Sequence, residues 1–223
     1  MAVLDSSALI SLSESCVVSV LRHLKEKSKA RFAAPESVFV ESVERPAKTR
    51  QHGFSAVRIK KLFSEGIVEK ITASQEKTRD ILNTANNLFF VGNVALELIQ
   101  VGEAECAAVI GDNPDMCMII DEKTLRLLIE SPNKLRAVLE GEYGEKIKID
   151  GKMLEKWQHM TRGIKVLRSV EVLGVAVEKG YFRSFGEDEN LAYHSAVFAL
   201  RGFGCSLTNS ELNEFEQLFA RGR

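Results

Sequence analysis

The sequence predicts an α/β fold built on a twisted parallel sheet with helices on both faces, and three observations support this prediction. Short apolar segments that are typical of buried strands alternate with amphipathic helical segments, which is the pattern of successive βαβ units. The segment MCMII at 116–120 is apolar throughout, as is typical of a central parallel strand covered on both faces. The chain has 223 residues, 45% of them hydrophobic, and this is enough for one sizeable core.

Brief apolar or alternating runs predict five strands. They are 2–4, 31–34, 67–71, 116–120 and 164–167. Apolar residues at helical spacing, with Pro or Gly near the ends of several segments, predict the helices between them. These helices are 16–24, 35–43, 55–65, 81–89, 103–110 and 169–178, followed by two closing helices at about 188–221.

The charged segment 124–162 interrupts this alternation and contains Ser-Pro and Gly-Glu-Tyr-Gly breaks. We interpret it as an insertion or a small subdomain within a single domain that spans 1–223. The second closing helix begins with TNSE at 208–211, which has the spacing of a capping box.

Composition argues against several classes of function. The formal net charge is −1, so any nucleic-acid surface must be local. No apolar run reaches the length of about 18 residues that a membrane span needs, and the first residues lack the pattern of a signal peptide. The four cysteines form no CxxC pair, which disfavours a zinc site and fits a reducing cytoplasm. Motifs of serine hydrolases, P-loop proteins, dinucleotide-binding proteins and zinc peptidases are absent.

Acidic residues stand where a parallel sheet places its functional groups. Asp5 and Asp121 each follow a predicted strand directly, Glu103 opens a predicted helix, and Glu41 follows an apolar turn of another. Ligands of open parallel sheets bind outside the carboxyl ends of the strands. If the four carboxylates meet, they cannot all stay ionised without a cation. Oxygen ligands favour Mg²⁺ or Mn²⁺, and the natural chemistry of such a site is phosphodiester hydrolysis.

Each acid by itself has a simpler structural explanation. Asp5 and Asp121 could be helix N-caps that follow strands. Glu103 could be a first-turn acid that interacts with the helix dipole. Glu41 could be a solvated acid on a helix surface.

Four stretches in this order resemble the PIN-domain family of metal-dependent nucleases, including a toxin-like branch of that family. They are VLDSSALI, APESVFVESV, GEAECAAVI and MIIDEKTLR. LRSVEVLGVAVEKGYF and ALRGFGCSLTNSELNEF resemble later segments of the same branch. The resemblance covers about 1–122 and 164–220, and the segment 124–162 has no counterpart in the shorter toxin members.

Residue by residue, the family pattern of Asp followed two positions later by Ser or Thr matches Asp5 and Ser7. The second acid matches Glu41, with Glu36 and Glu44 as weaker candidates. The third acid matches Glu103.

Glu105 lies two positions after Glu103, so we expect it to face another way. The fourth acid of the pattern matches Asp121, followed by Glu122 where the family frequently has Asp. Arg126 follows one turn later.

The resemblance implies a sheet with strand order 3-2-1-4-5 and Mg²⁺- or Mn²⁺-dependent endoribonuclease activity, with in-line attack of water leaving a 5′-phosphate and a 3′-hydroxyl. It implies catalysis by the four matching acids and support from Ser7 and Arg126, the latter as a group that stabilises transition-state charge or, alternatively, as a surface ion pair. It also implies a homodimer and an antitoxin as a protein partner. The implied metal ligands are Asp5, Glu41, Glu103, Asp121 and Glu122.

The stretch RPAKTRQHGFSAVRIKK at 45–61 has six basic residues and no acid, so it is a candidate for contacts with RNA phosphates. A solvated helix face explains it equally well. Phe54 could stack on a base, although we expect it to pack in the core. A non-catalytic RNA-binding or scaffold protein of the same fold is the alternative function. The candidate RNA-binding residues are Arg45, Lys48, Arg50, Arg58, Lys60 and Lys61.

Overall fold

The computed structural model describes residues 1–221, with side chains except at 216 and 218–221. The described residues form eight β-strands. In chain order they are β1 (Ala2–Leu4), β2 (Phe32–Pro35), β3 (Val68–Ile71), β4 (Phe89–Val91), β5 (Val94–Ala95), β6 (Cys117–Ile119), β7 (Ile147–Ile149) and β8 (Lys165–Leu167).

Five strands form the central sheet in the order β3-β2-β1-β6-β8, and each neighbouring pair is parallel. Because β6 and β8 are the fourth and fifth strands of this sheet along the chain, the order is 3-2-1-4-5, as the resemblance implied. All three residues of β1 are buried, although successive residues of a strand point to opposite faces of a sheet. Both faces are therefore covered at the centre, and the prediction of an α/β fold with a parallel sheet is confirmed.

Twelve α-helices lie within the described residues. They are α1 (Ser6–Glu14), α2 (Val20–Ser28), α3 (Glu36–Phe39), α4 (Gly53–Ser64), α5 (Gln75–Asn86), α6 (Val101–Asp112), α7 (Lys123–Glu130), α8 (Pro132–Tyr143), α9 (Gly151–Met160), α10 (Ser169–Glu178), α11 (Glu189–Gly202) and α12 (Asn209–Arg221). A π-helical turn spans Val40–Glu44, and 3-10 segments span Pro46–Lys48 and Tyr181–Asp188.

Helix α6 lies at the centre of the packing. Its sequence, rich in small and apolar residues, leaves seven of its residues buried, and it contacts β1, β2 and β6. On another side of the molecule, α1 packs against α4, α10 and α11. The small side chains of α6 allow its backbone to approach the sheet closely.

A second, smaller sheet includes part of the segment predicted to be an insertion. β4 pairs antiparallel with β5 and with β7, and the order is β5-β4-β7. The segment 124–162 contributes most of α7, together with α8, β7 and α9. Trp157 anchors α9, since it is 0% exposed and its Nε1 donates a hydrogen bond of 2.9 Å to the carbonyl oxygen of Leu128. Within residues 1–221, no helix combines the length and apolar character needed to cross a membrane.

Several predicted boundaries were wrong. Helix α1 was not predicted, because four of its nine residues are serines, which favour caps and turns over helix interiors. The helix expected at 81–89 begins earlier, at Gln75, and Phe89 lies in β4. Pro35 ends β2 and precedes the first residue of α3. Strands β4, β5 and β7 have only two or three residues, too few to show an alternating pattern.

Candidate functional site

Four helices begin near the carboxyl edge of the central sheet. α1, α7 and α10 follow β1, β6 and β8 along the chain, and α6 runs back towards the start of β6, so its own first turn lies near the same edge. The first turn of a helix has unpaired N–H groups and the positive end of the helix dipole. This edge is therefore suited to anionic groups, and it is where open parallel sheets bind their ligands.

Asp5 is the N-cap of α1, but the cap explains only one of its oxygens. Oδ2 accepts hydrogen bonds from Ser7 N at 2.9 Å and from Ser7 Oγ at 2.6 Å. Oδ1 is buried and has no hydrogen-bond partner, and the residue is 2% exposed. Burial raises the pKa of Asp5 to about 6, with a smaller contribution from the charge of Glu41, against the hydrogen bonds of Ser7 that lower it.

Glu103 lies in the first turn of α6 and is also a helix-capping acid. Its Oε2 accepts a hydrogen bond of 2.8 Å from Gln100 N. Burial raises the pKa of Glu103 to about 8, and the charges of Asp5, Glu122 and Glu41 add to this effect, while the Gln100 bond opposes it. Glu103 is therefore a first-turn acid, as expected, and the negative charges of three other carboxylates also act on it.

Glu41 lies in the π-helical turn that follows α3. π-Helical turns are rare and occur frequently at functional sites. The Glu41 carboxylate lies against the first turn of α6, because a Cβ atom built on Gly102 would be 2.8 Å from its Oε2. Gly102 therefore leaves room for the carboxylate next to Glu103, and any larger residue there would push it away. Glu41 is partly buried, and its place beside α6 differs from that of a fully solvated helix acid.

Ser7 connects the ends of β1 and β6. Besides donating to Asp5, its Oγ accepts hydrogen bonds from Asp121 N at 3.1 Å and from Glu122 N at 3.3 Å. These contacts follow from the parallel pairing of β1 with β6, in which Leu4 lies opposite Ile119. Asp5 and Asp121 therefore lie at neighbouring strand ends, and Ser7 bridges the Asp5 carboxylate and the backbone N–H of Asp121.

The Asp121 carboxylate, however, is directed towards α10. Its Oδ1 accepts a hydrogen bond of 2.7 Å from Ser169 N, the first residue of that helix. Its Oδ2 is buried and has no hydrogen-bond partner. Burial raises the pKa of Asp121, and the neighbouring groups of Ser169, Cys205 and Ser11 partly offset this effect. Asp121 is not the N-cap of α7, which is Glu122.

Glu122 caps α7 by accepting a hydrogen bond of 3.0 Å from Leu125 N with its Oε2. Its charge also acts on Glu103. The other candidate acids lie elsewhere: Glu105 accepts hydrogen bonds from Ser37, and Glu36 pairs with Lys70 at 2.9 Å. Glu105 faces away from Glu103, as expected.

We call Asp5, Glu41, Glu103 and Glu122 the acid cluster. None of the ion pairs formed by the described residues includes any of these four. Within residues 1–221, no three acids, histidines or cysteines are grouped so that they would hold a metal ion as they stand. The cluster is thus a set of carboxylates whose charges act on one another, and the side chains that the structure describes supply no cation to it.

Arg126 does not reach the acid cluster in the structure. Its Nη1 pairs with Glu130 Oε2 at 3.3 Å and its Nη2 donates to Ser206 Oγ at 3.4 Å. Its Nε is buried without a hydrogen-bond partner. The Arg126 side chain is 16% exposed, so it is largely buried where it pairs with Glu130, and its expected role in stabilising transition-state charge stays a prediction.

The candidate RNA-binding residues lie between the π-helical turn and the end of α4. Five of the six are exposed and Arg58 is partly buried. Lys61 pairs with Glu65 at 3.7 Å. The expectation that Phe54 packs in the core is wrong: it is 72% exposed, because it lies on the outer side of α4.

Three features of this site were not predicted from the sequence. The glycine of the GEAE stretch was a signal for Gly102, but we used that stretch only to locate a helix and to support the family resemblance. The π-helical geometry at Glu41 and the contact between Asp121 and Ser169 had none, because both depend on how distant segments pack. In the comparisons with known proteins, the chain matches no family model, no curated protein and no solved structure.

Proposed function

We propose that the protein is a metal-dependent endoribonuclease with a PIN-like fold. The observation that carries this proposal is the Asp5 carboxylate, which is 2% exposed with one oxygen unpartnered, inside a group of acids with which no Lys or Arg among the described side chains forms an ion pair. Burying ionised carboxylates in this way is unfavourable, and either proton uptake or a bound cation removes the cost. The strand order of the central sheet supports the PIN-like assignment.

The donor set fits a hard divalent cation. All four groups of the acid cluster are carboxylates, and oxygen ligands select Mg²⁺ or Mn²⁺. Asp5 Oδ1 is a free ligand atom. Glu41, Glu103 and Glu122 reach the same region from three different elements. When bound, such an ion supplies positive charge that stabilises a phosphoryl group and acidifies water.

The residues of the chain have distinct roles in this proposal. Asp5 is the central ligand, and Ser7 orients it through two hydrogen bonds. Glu41, Glu103 and Glu122 would complete the negative site around the ion. Asp121 acts as a positioning residue, because its carboxylate joins the end of β6 to the start of α10. The N-termini of α1, α6 and α7 favour the phosphate of the substrate.

The test compares two aspartates that cap helices. Asp5 accepts a hydrogen bond from the second residue of α1, and Asp150 accepts one from the third residue of α9. Asp5→Asn keeps a cap-forming side chain but removes the charge, whereas Asp150→Asn changes an exposed cap of α9, Asp150 Oδ1 accepting from Met153 N at 3.0 Å. We expect Asp5→Asn to lower the rate of RNA cleavage with Mg²⁺ or Mn²⁺ by about 100-fold or more. Asp150→Asn should cleave like the unmodified protein. Equal cleavage by Asp5→Asn and the unmodified protein would reject the proposal.

A second candidate is a non-catalytic RNA-binding protein of the same fold. The observation that favours it is the Asp121 carboxylate, which is engaged with Ser169 at 2.7 Å and is turned towards α10. Calorimetric titration separates the two functions. Uptake of Mn²⁺ that Asp5→Asn abolishes supports the nuclease, and RNA binding without any metal uptake supports the second candidate.

A further inference from the structure

The outer side of α4 presents an aromatic ring among basic side chains. We call this surface the α4 face and define it by Phe54, Val57, Lys60 and Lys61. Phe54 is 72% exposed and Val57 is 61% exposed, and both lysines are exposed. The opposite side of the helix is buried in the core. Val57 lies three positions after Phe54, and Lys60 and Lys61 lie three and four positions after Val57. Residues at this spacing are neighbours on one side of a helix.

The Phe54 ring is held against a cation on one of its faces. Arg58 Cζ lies 4.6 Å from the centroid of the ring. The Arg58 guanidinium is itself fixed, since Nη1 donates to Cys16 Sγ at 3.3 Å and Nε is buried. Cys16 has a φ of 61°, in the left-handed region that non-glycine residues rarely adopt. With one face covered by Arg58, the opposite face of the ring is open to a planar ligand.

The segment that carries this ring is basic, although Lys61 also pairs with Glu65 at the end of α4. The stretch 45–61 has six Lys or Arg residues and no acid, in a chain whose net charge is −1. Arg45, Lys48 and Arg50 are exposed on the segment that leads into α4. Exposed cations that flank an exposed aromatic ring are the combination that binds the backbone and stacks the bases of single-stranded nucleic acids.

This surface adjoins the acid cluster. The π-helical turn that holds Glu41 packs against both α1 and α4, and Arg45 follows it directly in the chain. Along α1, Ser13 lies eight residues after Asp5, which is about 12 Å at about 1.5 Å per residue. Ser13 Oγ donates a hydrogen bond of 3.2 Å to the carbonyl oxygen of Ser55, next to Phe54. A strand of a few nucleotides therefore reaches from the acid cluster to the ring.

We propose that the α4 face binds single-stranded RNA, with an unpaired base stacked on Phe54 and the flanking phosphates on the neighbouring lysines and arginines. This inference rests on the proposed function and specifies its substrate class. A base inside a duplex is already stacked on both sides and cannot use the ring, so Phe54 discriminates against paired RNA. Lysines and arginines contact phosphates of either form and do not discriminate.

The experiment measures binding in the presence of a chelator, with all variants carrying Asp5→Asn so that the RNA stays intact. The probes are a labelled single-stranded RNA of mixed sequence and the duplex formed with its complement. We expect Phe54→Ala to weaken binding of the single strand by about 5- to 100-fold and to leave duplex binding unchanged. Phe54→Trp should restore the affinity for the single strand.

Two further variants serve as controls. Phe198→Ala removes another exposed ring, 65% exposed on α11, and should leave both affinities unchanged. Lys60→Gln should weaken the single strand and the duplex alike and reduce the salt dependence of both.

Unchanged single-strand affinity in Phe54→Ala, or an equal loss for strand and duplex, would overturn the inference. Absence of RNA binding would also overturn it and would favour a protein as the partner that covers Phe54. Cleavage is measured separately in proteins with Asp5 intact. Cleavage that Phe54→Ala does not alter, together with unaltered binding, would reject the stacking surface and keep the nuclease. A Phe54-dependent preference for the single strand, in a protein that does not cleave RNA, would keep the stacking surface and reject the nuclease.

Discussion

Two groups of carboxylates lie near the carboxyl edge of the central sheet, and they differ in what neutralises them. In the acid cluster, burial and mutual repulsion raise the pKa of Asp5 to about 6 and that of Glu103 to about 8. In the second group, Arg168 lies between Glu171 and Glu211 and binds them at 2.6 Å and 2.8 Å. Burial raises the pKa of Glu211, but hydrogen bonds from Thr208 and Arg168 outweigh it and lower this pKa to about 2.

The difference lies in whether an arginine joins the acids into a structural contact. Arg168 is 7% exposed and also donates a hydrogen bond of 2.8 Å to the carbonyl oxygen of Ser206. It thereby fastens the start of α10 to the segment before α12. Among the side chains that the structure describes, no arginine or lysine forms such an ion pair with the acid cluster. The molecule thus neutralises one acid group with an arginine, whereas the proposed function assigns the neutralisation of the other group to a divalent cation.

The largest expected effect on stability comes from removing the internal cation. Arg168→Met leaves Glu171 and Glu211 without their partner, and we expect the free energy of unfolding to fall by about 3 kcal/mol. Arg136→Met is the matched control, because Arg136 pairs with Glu140 on an exposed helix face at 3.0 Å, and we expect a loss of at most about 0.5 kcal/mol. Urea unfolding measures both. Similar losses in the two variants would show that Arg168 is an ordinary surface residue.

A smaller effect of opposite sign is expected in the acid cluster. Asp5→Asn removes an unfavourable buried charge, so we expect the metal-free variant to be more stable than the unmodified protein by about 1–2 kcal/mol at pH 7.5. Asp150→Asn should change the free energy of unfolding by less than about 0.5 kcal/mol. Thermal unfolding in the presence of a chelator tests this prediction, and a clear destabilisation by Asp5→Asn contradicts it.

The difference in the free energy of unfolding between Asp5→Asn and the unmodified protein should depend on pH. The pKa of Asp5 is about 6 in the folded protein against an ordinary value of 3.8, so the folded state holds the proton more tightly. The stability of the unmodified protein therefore falls as pH rises from about 4 to about 6. The advantage of Asp5→Asn should grow over this interval and vanish below it. Glu211 acts in the opposite direction, since its lowered pKa gives stability that is lost as pH falls below about 4.5 towards 2.

The smallest expected effect is stabilisation by the metal. At ten times its dissociation constant, Mn²⁺ should raise the free energy of unfolding by about 1.4 kcal/mol. Glu103→Gln should abolish this gain. Glu105→Gln, on the same helix with its carboxylate bonded to Ser37, should keep it. If both variants respond to Mn²⁺ as the unmodified protein does, the acid cluster is not the metal site.

Much of the architecture could be predicted from the sequence, because local patterns are enough for it. Alternating apolar segments predicted the five parallel strands, and the apolar run at 116–120 corresponds to β6 between β1 and β8. The TNSE sequence forms the expected capping box, with Thr208 N donating to Glu211 Oε2 at 2.9 Å and Glu211 N donating to Thr208 Oγ1 at 3.2 Å. The small sheet was missed because its strands are too short to show a period.

The sequence by itself determined which acids follow strands and open helices, since strand ends and caps are local features. Only the tertiary structure decided which of these carboxylates face one another. Asp121 and Glu122 are adjacent in the chain, yet one is bonded to Ser169 and the other acts on Glu103. The physical reason is that neighbouring residues at a strand end point in different directions, and the packing of α6 and α10 against the sheet fixes what each of them meets.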